Sequence, residues 1–143
     1  MANFVCEISV TQAPLPQPRS DIACAGAVVD FWGVVRPIED GREIEGIDYE
    51  AHREMAELQL KRIAEQAAEE FGLKLVAIYH RIGFIAVGEP SLIVSVASPH
   101  RGEGFRAAQR IVDDLKKKVP IWKRPRFRTD KQDHTAYTAA VII

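Results

Sequence analysis

The sequence predicts a single α+β domain with a mainly antiparallel sheet and two principal helices. Two apolar stripes recur at helical spacing, each closed by a residue that stops a helix, and short β-rich runs lie before, between and after them. The resulting order of strands, helix, strands, helix, strands is the α+β pattern. At 143 residues the chain fits one domain, taken as 1–143, and is long enough to bury a sizeable core.

Phe4 to Val10 reads as the opening strand, because β-branched and aromatic residues dominate it. Pro14, Pro16 and Pro18 then alternate, so residues 11–22 form a proline-rich extended connection. Ala25 to Val35 is β-rich, and Gly33 within it predicts a bulge or a close approach of backbone or ligand. Glu39-Asp40-Gly41-Arg42 supplies turn chemistry, and Glu43 to Ala51 resumes a strand. Strict alternation puts Ile44, Gly46 and Asp48 on one face and Glu45, Ile47 and Tyr49 on the other. Together the two runs suggest a hairpin with a loop longer than two residues.

The first helix is expected from about His52 to Phe71. Ala56, Leu60, Ile63, Ala64, Ala67 and Phe71 make its stripe, and Gly72 ends it. Leu73 to Tyr79, Phe84 to Val87 and Ser91 to Ala97 follow as strands, punctuated by Gly83, Gly88 and Pro90. The second helix should begin after Pro99 and break before Pro120, burying Phe105, Ala108, Val112, Leu115 and Val119. Residues 125–143 form a tail whose last part, Thr135 to Ile143, looks like a strand in need of cover.

The hydrophobic share of 47% and charged share of 27% suit a globular protein rather than a disordered one. No apolar run is long enough to span a bilayer, and Met1 to Val10 lacks a secretory pattern, so a cytoplasmic location and no membrane partner are expected. Cys6 and Cys24 lie in apolar stretches without metal-ligand spacing and read as small buried hydrophobes. His52, His80 and His134 are scattered, and no metal site or cofactor is predicted.

Charge is unevenly spread. Residues 1–100 carry 8 basic and 15 acidic side chains, a net −7, whereas residues 101–143 carry 11 and 5, a net +6. A cationic C-terminal third suits an anionic ligand, an acidic partner or nucleic acid. Trp122, Phe127 and Tyr137 among cations match a single-strand platform in composition only; the acidic whole and the lack of a binding motif weigh against nucleic acid.

Within that third, Ser98-Pro99-His100-Arg101-Gly102 joins an apolar strand to a helix start. Backbone N–H groups there attract anions, and His100 and Arg101 would add donors. The alternative is a solvent-facing basic pair. Lys116-Lys117-Lys118 ends the same helix, where cations suit the dipole. At 100° per residue the three differ: Lys117 points away from the apolar stripe, while Lys116 shares the side of Phe105 and Val112 and can reach a pocket edge. Lys123 lies beyond Pro120 in an extended segment, and Arg36 ends a strand at a turn, where binding residues often sit.

Several strings resemble one family. Gly26-Ala27 through Phe31, Gly33 and Val35-Arg36, then Tyr49-Glu50-Ala51 with Met55-Ala56, His80-Arg81-Ile82-Gly83, Gly88-Glu89, Ser98-Pro99-His100-Arg101, and Leu115-Lys116 with Pro120-Ile121-Trp122-Lys123 match, in order, the large catalytic subunits of molybdopterin synthases. The matches cover roughly residues 25–124.

The resemblance implies an α/β hammerhead-type fold and a homodimer core. Each large subunit would bind a small ubiquitin-like sulfur-carrier protein to make a heterotetramer. The carrier's C-terminal Gly-Gly thiocarboxylate would enter a pocket and give sulfur to cyclic pyranopterin monophosphate, forming molybdopterin. No metal takes part at that stage. Carried onto matching positions, Lys116 and Lys123 would be catalytic, and Arg36, His100 and Arg101 would hold the substrate. One departure stands out: Trp122-Lys123-Arg124 meets Pro125 where relatives continue with an acid, removing a carboxylate that could pair with a lysine. The alternative function is accordingly a non-catalytic paralogue that binds a ubiquitin-like tail through the same basic groove.

Overall fold

The computed structural model describes residues 4–17, 25–128 and 141–142. In chain order the elements are β1 (Val5–Thr11), β2 (Ala27–Val34), β3 (Ile38–Glu39), β4 (Arg42–Ala51), α1 (Arg53–Phe71), β5 (Leu75–Arg81), β6 (Gly83–Ala86), β7 (Pro90–Ser98), α2 (Arg101–Lys118), β8 (Ile121–Phe127) and β9 (Val141–Ile142). The architecture is α+β, as the sequence predicts.

The first sheet has the order β1-β5-β7-β2, with β1 parallel to β5 and the other pairings antiparallel. Its central strands are buried on both faces, which is why they read as continuous apolar runs rather than alternating ones. On one face α1 packs over β1 and β5, and α2 over β7 and β2. Val76, Ile78, Val94 and Val96 meet Leu60, Ile63, Ile111 and Leu115 in that core. Each such side chain contributes roughly 1.5–3 kcal/mol on burial. On the other face Leu75, Ala77, Tyr79, Ile93 and Ala97 are covered in part by Leu15, from the first part of the proline-rich connection, and by Ala25; residues 18–24 lie outside the described residues. Cys6 is half-buried in β1, where burial raises its thiol pKa, in keeping with an unreactive apolar role. Cys24 and His134 lie outside the described residues.

Helix ends follow local chemistry. The His52 ring accepts a hydrogen bond from the Met55 N–H at 3.3 Å and so caps α1. Gly72, at φ 65°, closes it in the left-handed conformation that costs glycine least. No helix among the described residues is long and apolar enough to cross a membrane.

The second sheet runs β3-β4-β8-β9, and β6 pairs with Gly46–Tyr49 of β4 on the side away from β8. Three sequence expectations fail in the folded chain. First, the run at Ala25–Val35 makes no hairpin with Glu43–Ala51: β2 pairs with β7 in the other sheet. The real hairpin is β3–β4, turned by Asp40 at φ 51° and Gly41 at φ 74°. Two successive positive φ angles are what a two-residue turn matched to strand twist requires.

Second, alternation in β4 is broken. The pairing with β8 shifts between Ile44 and Gly46, leaving Glu45 as an extra residue. Ile44 therefore shares a face with Ile47, Tyr49 and Ala51, opposite Phe127, Pro125, Lys123 and Ile121 of β8. The Gly33 bulge, by contrast, is where the sequence puts it: β2–β7 pairing shifts at Gly33/Val34.

Third, the buried stripe of α2 is Gly104, Ala107, Ala108, Ile111 and Leu115, while Phe105 is 62% exposed. A Cβ at Gly104 would lie 3.0 Å from Ser98 Oγ and 3.1 Å from Val29 Cγ2. The helix approaches the sheet through this glycine, which rotates Phe105 outward.

The chain also continues as strand through Pro125, which pairs opposite Ile47. Of β8, only Trp122 and Lys123 pair with β9 among the described residues, so the proline sits beyond that cover. Val141 and Ile142 thus give part of the predicted terminal strand; Thr135 to Ala140 and Ile143 lie outside the described residues.

Candidate active site

A pocket of about 250 Å³ opens where the two sheets meet the C-terminal end of α2. Its floor comes from strand ends. His80 (β5) is 1% exposed, Tyr49 (β4) 8% and Ser91 (β7) 6%. The Tyr49 ring stands edge-on to His80 with centroids 5.1 Å apart. His80 Nδ1 lies 2.8 Å from the Arg81 carbonyl oxygen, which can only accept, so this nitrogen carries the proton. The ring is neutral, because burial lowers its pKa to about 4. Burial likewise raises the Tyr49 hydroxyl, against a smaller opposing effect of its hydrogen bond with Ser91. The floor is therefore polar but uncharged.

The walls are cationic. Arg36 follows β2, just past the Gly33/Val34 shift in its pairing with β7. Lys123 enters from β8 on the Tyr49 face, and Lys116 from the last turn of α2. Of the three successive lysines, only Lys116 lines the pocket, as the helical-face argument predicts. It is exposed, however, rather than crowded by apolar surface. Glu39, brought back by the β3–β4 turn, completes the wall: its Oε1 lies 3.4 Å from Lys123 Nζ and 3.6 Å from the Arg36 guanidinium. An arrangement with three cations, one displaceable carboxylate and a neutral polar floor can hold an anion and present hydrogen-bonding groups to a heterocycle.

His100 and Arg101 stand elsewhere in the protomer. They head α2, about 22 Å along the helix axis from Lys116. Both are exposed; the His100 side chain is 82% exposed, with Nδ1 3.9 Å from a Glu103 carboxylate oxygen, and it makes no cap bond. Sequence reasoning misses Glu39, which reads only as turn chemistry, and gives His80 no site role. A usable sign for His80 is present, namely a titratable residue at the end of an otherwise apolar strand. No cluster able to hold a metal ion occurs among the described residues.

Known proteins resemble this chain in sequence and in fold. The family model described as "MoaE protein" matches residues 8–118. The molybdopterin synthase catalytic subunit of Thermoplasma volcanium is 42% identical over 100 residues, spanning 70% of this chain and 73% of that one. Its counterpart in Pyrococcus abyssi is 44% identical over 99 residues, spanning 69% and 67%. The crystal structure of molybdopterin synthase from Staphylococcus aureus superposes with a TM-score of 0.76 at 31% identity, covering 90% of this chain and 94% of that one. With the family model spanning most of the chain and the fold shared, this protein belongs to the MoaE family of molybdopterin synthase catalytic subunits.

Proposed function

We infer that the chain is the catalytic subunit of a molybdopterin synthase, a sulfurtransferase of molybdenum cofactor biosynthesis acting in the cytoplasm. It takes sulfur from the C-terminal thiocarboxylate of a small ubiquitin-like carrier subunit and delivers it to cyclic pyranopterin monophosphate. The observation that carries this reading is the convergence of Arg36, Lys116 and Lys123, from three separate elements, on one pocket. Both reactants are anionic, and fixed cations stabilise charge that develops as the thiocarboxylate is attacked and the cyclic phosphate opens. Lys116 and Lys123 act there as charge stabilisers or proton carriers, and Arg36 holds phosphate or a polar edge.

His100 and Arg101 join this site only from a second copy. The homodimer is supported by β2, an edge strand of the first sheet that exposes Val28, Phe31, Trp32 and Val34 and also borders the pocket. Mixed dimers test this. Lys116→Ala and Arg101→Ala homodimers should each be weakly active with thiocarboxylated carrier and cyclic pterin. Dimers mixed from the two variants regain one intact site if the sites are composite, and therefore recover activity. No recovery on mixing would remove Arg101 from the site. A wild type that binds the carrier tail but yields no dithiolene would favour the non-catalytic paralogue, the reading that Pro125 keeps alive.

A further inference from the structure

Among the described residues lining the pocket, Glu39 is the one acid. Its side chain is only 13% exposed, and a single oxygen, Oε1, faces both Lys123 Nζ at 3.4 Å and the Arg36 guanidinium at 3.6 Å. Backbone geometry puts it there. The Asp40-Gly41 turn folds β3 onto β4, so that Ile38 is 52% exposed while Glu39 turns inward. The strand that carries Lys123 offers no acid on the same face, where its residues are Ile121, Lys123, Pro125 and Phe127. The Arg36 side chain is 74% exposed and that of Lys123 27%, and the carboxylate of Glu39 faces both cations at one point.

Such a carboxylate has two opposed effects. It orders two long side chains that would otherwise lose rotamer entropy only on meeting substrate. It also competes with any anion seeking the same two cations. We propose that Glu39 is a positioning residue, holding Arg36 and Lys123 in place before substrate arrives and then yielding them to it, so that affinity for the anion is traded for correct placement of Lys123. The kinetic part rests on the sulfur-transfer reading; the binding part does not.

Glu39→Gln keeps the size and removes the charge. Inorganic phosphate, titrated by calorimetry at fixed ionic strength, should bind the variant about threefold to tenfold more tightly than the wild type. In turnover with thiocarboxylated carrier, kcat should fall about tenfold while KM for the cyclic pterin falls or holds. Loss of an ordinary binding residue would raise KM instead. Glu39→Asp should restore part of kcat, and Asp40→Asn, next along the same turn, should change neither quantity. Equal phosphate affinity in wild type and Glu39→Gln overturns the proposal. So does a fall in kcat accompanied by a raised KM that Glu39→Asp leaves unrelieved. Tighter phosphate binding by the variant, with no dithiolene from the wild type, would support the role of Glu39 and contradict sulfur transfer.

Discussion

Lys116, Lys117 and Lys118 form a built-in controlled experiment. All three are exposed, occupy the last turn of α2 and make no ion pair among the described residues. Each contributes to stability through the same effect, a cation near the negative end of the helix dipole, worth roughly 0.3–1 kcal/mol. Replacing any one by Ala should therefore lower stability by a similar small amount, partly offset by alanine's helix propensity. Function should separate them. Of the three only Lys116 lines the pocket, and removing a donor to developing negative charge typically costs about 2.7–4 kcal/mol, or roughly 100- to 1,000-fold in kcat. Lys117 lies about 100° round the helix and does not line the pocket, so its loss should change kcat by less than about twofold. The assay is single-turnover dithiolene formation with saturating thiocarboxylated carrier, alongside thermal melting of each variant. Comparable kcat losses for Lys116→Ala and Lys117→Ala, at equal melting temperatures, would refute the face argument. A Lys116→Ala enzyme with full activity would remove that lysine from the mechanism altogether.

Two further predictions concern the scaffold. An added Cβ at Gly26 would run into the Pro99 carbonyl oxygen, and that contact is with backbone that cannot swing aside. Gly26→Ala should thus cost about 1–3 kcal/mol and lower Tm by about 3 to 10 °C, and an unchanged melt would show that the turn before α2 relaxes freely. His80 supplies a pH prediction. Its imidazole is moved from 6.5 down to about 4, so as pH falls below 6.5 the unfolded chain binds a proton that the folded chain refuses. Stability is lost progressively between about pH 6.5 and 4, by about 3 kcal/mol in total, and no more is lost to this group below that. Urea unfolding of the wild type and His80→Gln across this range should give converging curves as pH falls; parallel curves would contradict the assignment.

What is legible in the sequence is local. Gly72, Pro99 and Pro120 bound the helices because glycine and proline act on their own backbone, and the bounds hold to within a residue or two. Lys116 is legible because helical geometry is fixed by sequence spacing alone. The partner of β2 is not, since Trp32 pairs with Ile93 across a long stretch of chain and nothing near Trp32 encodes that choice. Phe105 misleads because hydrophobicity cannot register that a glycine, Gly104, permits a close approach to the sheet. Glu39 is hidden by its own turn: the positive φ values at Asp40 and Gly41 bring it to Lys123, far along the chain, and charge pattern alone gives no sign of it.

The extra residue at Glu45 has a bearing on how relatives are compared. Its carbonyl accepts the Val87 N–H at 3.0 Å, so the bulge is stitched to the segment that follows β6 and is not a loose loop. A member of the family lacking it would show a one-residue gap within a strand, where gaps are usually blamed on misalignment. Here such a gap would be real: Ile44 before it and Tyr49 after it would still share the pocket side of β4 in a gapped comparison, and would be split between opposite sides in an ungapped one. The inheritance of the pocket can therefore be traced through this strand only by counting its two halves separately.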